Sequence, residues 1–235
     1  MIVHLASCVR NCCKLLLLTL CLVASAAGHA AVNVVDTLTA SKVFAEIPLE
    51  VLDMLRPSTR LDMLDYYNQA DSLLTVQNAL GGESRLEQVA PDYFKVSVTP
   101  ISTLEIKLLP YKKGQLVMTL YTVSTMESSP SGLRPLSDTE VRFFDSNLQP
   151  LDPSKFLTPP TLKTLFNLKN SNLTEKDLLE KIPFPAIAYT TGPGEAPLTA
   201  TFTSLEALSQ EDRDLLTPLL TPTVIASWNG KFNFK

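Results

Sequence analysis

Apolar positions along the chain switch between two periods, and the switches divide it into helical and extended segments. Leu49, Leu52 and Leu55 recur at helical spacing behind Ile47-Pro48. Proline is tolerated at a first helical position, so a short helix is predicted there. Pro57 ends it and can begin a second helix over 58–71. On that helix Asp62, Asp65 and Gln69 share one face, and Leu61, Met63, Leu64 and Tyr67 occupy the broader opposite side. The preceding 31–41 has Val, Thr and Ala without a helical stripe and reads as an extended lead-in. Alternation then takes over. Segments 74–80 and 84–89 flank Gly81-Gly82, a dipeptide that permits the positive φ of a hairpin turn. Phe94, Val96 and Val98 alternate through 93–99, and Leu104, Ile106 and Leu108 through 102–109. Lys113-Gly114 turns the chain into 115–125, a long β-branched and aromatic run. The pattern predicts an antiparallel meander with one buried face.

Segment 126–137, with Pro130, Gly132 and Pro135, reads as a loop; 140–144 resumes as a strand and Asp145-Ser146-Asn147 turns it back. Pro150, Pro153, Pro159 and Pro160 mark the best internal boundary. Beyond it, Thr174-Glu175-Lys176-Asp177 has the form of a capping box, with Leu178, Leu179 and Ile182 behind it and Pro183 as the stop. Segments 186–191 and 198–203 read as strands around Gly192-Pro193-Gly194, and Ser209 caps a last helix running toward Leu216. Segments 223–228 and 231–234 are predicted to pair as a hairpin across Asn229-Gly230. Helices set apart from a mainly antiparallel sheet make an α+β fold. Both halves place helix before strands, which leaves two tandem helix-plus-meander subdomains open.

The N-terminus changes the picture. Arg10 and Lys14 precede an apolar run over 15–27, followed by small residues at Ala24-Ser25-Ala26 and Gly28-His29-Ala30. These are the parts of a secretory signal peptide. The run of 13 residues is short of the roughly 20 that span hydrocarbon. We therefore expect a signal peptide over 1–30 and a single α+β domain over 31–235, with a candidate subdomain boundary near 150–160. Cys21 follows a bulky leucine inside the apolar run, which disfavours lipidation. Cleavage after Ala30 removes all four cysteines and both histidines, and leaves 18 basic against 24 acidic side chains, a net charge of −6. The rest, within a composition of 45% apolar and 19% charged residues over 235 positions, is that of a globular domain. No transmembrane segment is expected after cleavage. Nucleic acid is an unfavoured partner, because no basic excess faces the phosphates.

Losing Cys and His removes Ser-His-Asp triads, Cys-His pairs and His- or Cys-built zinc sites. The chain has neither G-x-x-x-x-G-K-[ST] nor G-x-G-x-x-G, so no cofactor and no metal is expected and catalysis is disfavoured. Asp62 and Asp65 share a helix face and are the remaining carboxylate pair for a hydrolase or lyase, against a solvated acidic face as the plainer explanation. Asp145, Asn147, Gln149 and Asp152 loosely match a calcium loop, but Pro150 stands where that loop needs glycine. Tyr66, Tyr67 and Trp228 are the candidate ligand-binding residues. Adjacent helical residues point about 100° apart, so both tyrosines cannot face inward, and Trp228 sits beside a turn.

The order of several segments is distinctive: Ile47-Pro48-Leu49-Glu50-Val51-Leu52, Arg60-Leu61-Asp62-Met63-Leu64-Asp65-Tyr66, Val98-Thr99-Pro100-Ile101-Ser102-Thr103, Leu108-Leu109-Pro110 and Trp228-Asn229-Gly230-Lys231. Together they resemble an uncharacterised exported family of the Bacteroidales, domain of unknown function 3256. That resemblance implies an envelope location and brings no catalytic residues with it. The expected function is a cofactor-free binding domain in the periplasm or cell envelope of a Gram-negative bacterium, its partner an envelope protein or a glycan. The alternatives are a carboxylate-dependent hydrolase or lyase and a structural component of the cell surface.

Overall fold

A computed structural model of the protein describes residues 37–68, 75–125, 136–169 and 171–234. The predicted leader, Gln69 and most of the 126–137 loop lie outside the described residues. Thr39 begins the first helix: its hydroxyl accepts from Lys42 N at 3.2 Å, an N-cap that satisfies one of the orphan donors of the first turn. Helix α1 spans Ala40–Glu46 and buries Ala40, Val43 and Phe44. The sequence pattern ran an extended lead-in to Ser41, of which 31–36 lies outside the described residues, and placed a helix after Pro48. The structure reverses this: the chain from Ile47 to Leu55 runs in turns, with Val51 N on Pro48 O and Leu52 N on Leu49 O. The spacing of Leu49, Leu52 and Leu55 thus belongs to successive turns, of which Leu52 and Leu55 are fully buried while Leu49 is exposed. Helix α2, Pro57–Asn68, begins at the proline and buries Arg60 and Met63.

The next strands form a sheet in strict sequence order, each pair antiparallel: β1 Thr75–Gln77, β2 Glu83–Ala90, β3 Tyr93–Thr99, β4 Ser102–Tyr111, β5 Gly114–Ser124, β6 Ser137–Phe144 and β7 Pro150–Leu151. The pairing of β4 with β5 is unbroken from Ser102↔Val123 to Tyr111↔Gly114. One face carries Phe94, Val96, Val98, Leu104, Ile106, Leu108, Val117 and Phe144 against α1 and Met63. Phe44 stacks on Phe94 with centroids 4.2 Å apart.

The opposite face is buried too, where the sequence pattern left it to solvent. Leu109, Leu116, Met118, Leu120 and Phe143 pack on Tyr189, Leu198 and Ala200 of a second, smaller sheet. That sheet has the order β11-β10-β9, from β9 Ile187–Thr190, β10 Leu198–Phe202 and β11 Thr223–Ala226. Between β7 and β9 lie a parallel partner strand β8, Leu157–Thr158, a short helix α3, Leu162–Leu165, and helix α4, Glu175–Lys181; α5, Gln210–Leu216, comes after β10. These three helices and Phe202 form a third cluster. Thr174 and Asp177 make the reciprocal capping box expected of them, and Ser209 caps α5 through Asp212 N.

The predicted hairpin across Asn229-Gly230 does not form. β11 pairs with β10, and β12, Phe232–Asn233, pairs in parallel with β8. Gly230 does take a positive φ of 97°. The chain leaving it is drawn elsewhere by Lys231 Nζ on Ser154 O at 2.7 Å and Phe232 N on Phe156 O at 2.8 Å. The fold is α+β, and Leu38–Lys235 form one compact unit.

Candidate functional site

Tyr66 and Tyr67 sit in the last turn of α2, each 41% exposed. Met63 is fully buried and Leu64 partly so, which leaves both rings off the stripe that meets the core. Trp228 lies just beyond β11 on the other side of the large sheet, packed against Phe232 at 4.9 Å and Tyr111 at 6.5 Å. Its indole N–H donates to Pro110 O at 2.8 Å, so the polar atom that would serve a ligand already holds β12's approach to the sheet. The large sheet separates Trp228 from the two tyrosines, and the three do not form one site.

Asp62 and Asp65 are exposed on α2. Asp145 accepts from Asn147 N and Gln149 N, both at 2.9 Å, in a turn completed by Leu148 at a φ of 59°. Asp152 caps the 3-10 turn Pro153–Lys155 through Ser154 N at 3.0 Å. These carboxylates act on the backbone of their own turns. Among the described residues no group of three or more His, Cys, Asp or Glu could hold a metal ion. No helix among them is long and apolar enough to cross a membrane.

Two charged residues that the sequence pattern placed on a solvated face are buried in the seam between the sheets. Glu105 is 3% exposed and Lys107 2%. Lys107 Nζ donates to Asp92 Oδ2 at 2.6 Å, to Gly192 O at 2.9 Å and to Gly194 O, and Gly194 N returns to Asp92 at 3.0 Å. Glu105 accepts from Thr191 N at 3.1 Å and from the Tyr93 hydroxyl. Burial pushes the Glu105 carboxyl above the ordinary carboxylate range, opposed by these hydrogen bonds and by Lys95. The same burial, with Glu105 beside it, raises the Tyr93 phenol. Every polar partner comes from within the chain, so the cluster is a structural pin for the β9–β10 loop. One signal for it was present: β5 is apolar at Leu116, Met118 and Leu120 as well as at Val117, which a sheet buried on one face does not require.

A concave surface lies at the other end of the sheet. A cleft of about 380 Å³ runs between the turns after α1 and the end of β6, lined by Pro48, Val51, Arg142, Phe144, Pro150 and Leu151. Proline and aliphatic carbon dominate it, as in ligand pockets generally. The Arg142 guanidinium is fixed by Glu140, with Nε at 2.7 Å and Nη2 at 2.9 Å, and donates to Glu50 O at 3.3 Å. Glu50 also borders the cleft, which leaves the arginine outnumbered by acids. Neither Asp62 nor Asp65 lines it.

A family model matches residues 32–233, nearly the whole of the described chain. The chain belongs to the DUF3256 family. That family is defined as proteins of unknown function. Among solved structures, a domain of an uncharacterized protein from Porphyromonas gingivalis W83 superposes with a TM-score of 0.68 at 16% identity, over 83% of this chain and 96% of that one. At such identity the likeness concerns the fold alone. No curated protein matches the sequence.

Proposed function

We propose that this DUF3256 protein is an exported, cofactor-free binding domain of the bacterial cell envelope, and that it holds an envelope protein through the cleft beside Arg142. The observation that carries the reading is the cleft itself, an apolar hollow of about 380 Å³ whose bordering charges are a paired arginine and an additional glutamate. An apolar side chain presented next to a basic residue is complementary to it. The leader-like N-terminus supports export, and the charge balance supports a basic partner.

In-cell crosslinking with a photoreactive residue at Val51, followed by mass spectrometry of the envelope fraction, tests this. One dominant partner is expected, and Glu50→Lys, at an exposed position bordering the cleft, should weaken its capture while leaving the fold intact. Crosslinks only between copies of the chain would make it a structural component instead. No crosslinks, or a protein found in the cytoplasmic fraction, would overturn the proposal.

A further inference from the structure

The smaller sheet has two lateral edges, and the chain treats them differently. Antiparallel pairs alternate between residues that exchange both hydrogen bonds and residues that exchange none. Thr203 N on Ala186 O at 3.1 Å and Phe202 N on Pro222 O at 2.9 Å set that phase on the two sides of β10. With the registers Thr201↔Ala188 and Ala200↔Val224, it turns Ile187 and Tyr189 of β9, and Thr223 and Ile225 of β11, away from β10. The β9 edge is capped. Ile187 N donates to Asp138 Oδ1 at 3.1 Å, Tyr189 N to Thr139 Oγ1 at 2.9 Å and, just past the strand, Thr191 N to Glu105 at 3.1 Å. The β11 edge is open. Among the described residues nothing bonds to the outward N–H and C=O groups of Thr223 and Ile225.

This open edge lacks the usual protection of a charge, a proline, a bulge or a cover. At the end of the large sheet, by contrast, β7 is two residues long and begins with Pro150. β11 has no proline within Thr223–Ala226, its register with β10 is unbroken, and 215–230 holds no charged residue. Ile225 stands 66% exposed beside exposed Thr223, while Val224 and Ala226 turn inward to the core.

We infer that β11 pairs with the β11 of a second copy of this chain, antiparallel about a two-fold axis at Val224. In that register each Thr223 exchanges both hydrogen bonds with Ile225 of the other copy, so every outward group of the strand is used. Ile225 and Thr223 then face each other across the junction, a β-branched pair of the kind that stabilises sheets. The geometry selects a second copy over a foreign strand. A two-fold contact closes at two copies, and the joined sheet ends on both sides at β9, where Asp138, Thr139 and Glu105 already cap the amides. A foreign strand added to β11 brings a new open edge of its own. Identical edges repel when they carry charge, and this one carries none. No residue lining the cleft beside Arg142 belongs to β11, so the pairing does not depend on what that cleft holds.

Sedimentation velocity of the purified protein over a concentration series tests the pairing. A monomer–dimer equilibrium is expected, with a dissociation constant of about 100 μM for so small an interface. Ile225→Pro removes one outward donor from each copy and spares the bonds to β10, at an edge position where proline is tolerated. It should weaken the dimer at least about tenfold. Thr223→Lys and Ile225→Glu place opposite charges face to face only when the two variants meet. Their mixture should therefore dimerise about fivefold more tightly than either variant alone. Amide chemical shifts unchanged outside β10 and β11 report that each variant keeps the fold. A monomer at every concentration, a dimer that keeps its strength in Ile225→Pro, or assembly that grows past two copies would overturn the proposal. A mixture that pairs no better than its components would overturn it as well, because the register about Val224 would be wrong.

Discussion

Arg60 is a fully buried cation whose acceptors are all main-chain carbonyls. Nε donates to Leu55 O at 2.7 Å, Nη2 to Leu52 O at 2.9 Å and Nη1 to Ile47 O. Burial pulls its pKa below the usual guanidinium value, yet the group stays charged at any physiological pH. It replaces the helix that the leucine spacing suggested, by gathering the carbonyls of three turns onto one fork. Arg60→Met should lower the unfolding free energy by roughly 3–5 kcal/mol, because three buried acceptors lose their donor. Arg60→Lys should recover only part of that, since an ammonium lacks the planar fork. Urea denaturation measures both. Glu105 supplies a pH effect at the same scale. Its folded pKa lies above the unfolded value because of burial, so its charged form costs stability at high pH, and that cost is relieved as pH falls through the folded pKa. Asp177 acts in the opposite sense: hydrogen bonds from Thr174 lower its pKa, giving stability that is lost as pH falls through that lowered value. Melting temperature should therefore rise from pH 8 toward mildly acidic pH and fall again below the carboxylate range. Glu105→Gln should remove the rising part and raise the melting temperature at pH 8 by roughly 2–4 °C, the shift expected for about 1 kcal/mol in a domain of this size.

Among the elements, local signals decided wherever the chain's own neighbours supply the partners. The capping box of α4 is of this kind. Thr174 and Asp177 satisfy each other within one turn, and Thr174→Ala should cost about 1 kcal/mol, read by thermal melting. The meander from β1 to β6 was legible for the same reason: adjacent strands joined by short turns, such as the one at Gly81 with a φ of 78°, pair with their sequence neighbours. The elements read wrongly are those whose partners are remote. Residues 223–228 and 231–234 have a hairpin's turn dipeptide and alternation, yet β10 and β8 take the two strands. The Trp228 indole on Pro110 O, 118 positions away in sequence, holds the chain between them. Trp228→Phe keeps the ring and removes that bond. It should cost about 1 kcal/mol of stability, as a single net hydrogen bond does. Tyr66→Ser/Tyr67→Ser, on the exposed side of α2, should shift the melting temperature by no more than about 4 °C, because each surface change rarely exceeds about 0.5 kcal/mol.

The molecule as a unit is organised by a sheet buried on both faces. α1 and α2 cover one face, and the β9–β10–β11 sheet covers the other, pinned at its loop by Lys107, Asp92 and Glu105. Lys107→Met should release that pin while leaving the helix-side core in place. Hydrogen exchange should then accelerate at Thr191 and Gly194 and stay slow at Phe94 and Ile106. Equal acceleration at all four would mean that the layers open together. Residue types and spacings within a few positions were enough to establish the fold class, the order of the meander, the helix caps and the absence of two nucleotide-binding motifs. They also pointed to aromatics and carboxylates that the fold spreads over separate surfaces. The covering of the sheet's second face, the interior positions of Arg60, Glu105 and Lys107, and the place of the cleft beside Arg142 emerged only from the folded chain. The seam between the sheets is built from contacts between segments 49 to 118 positions apart. Alternation marks a buried face and says nothing of what lies on the other side, so a charged residue that finds its partners across such distances looks in sequence like any solvated one.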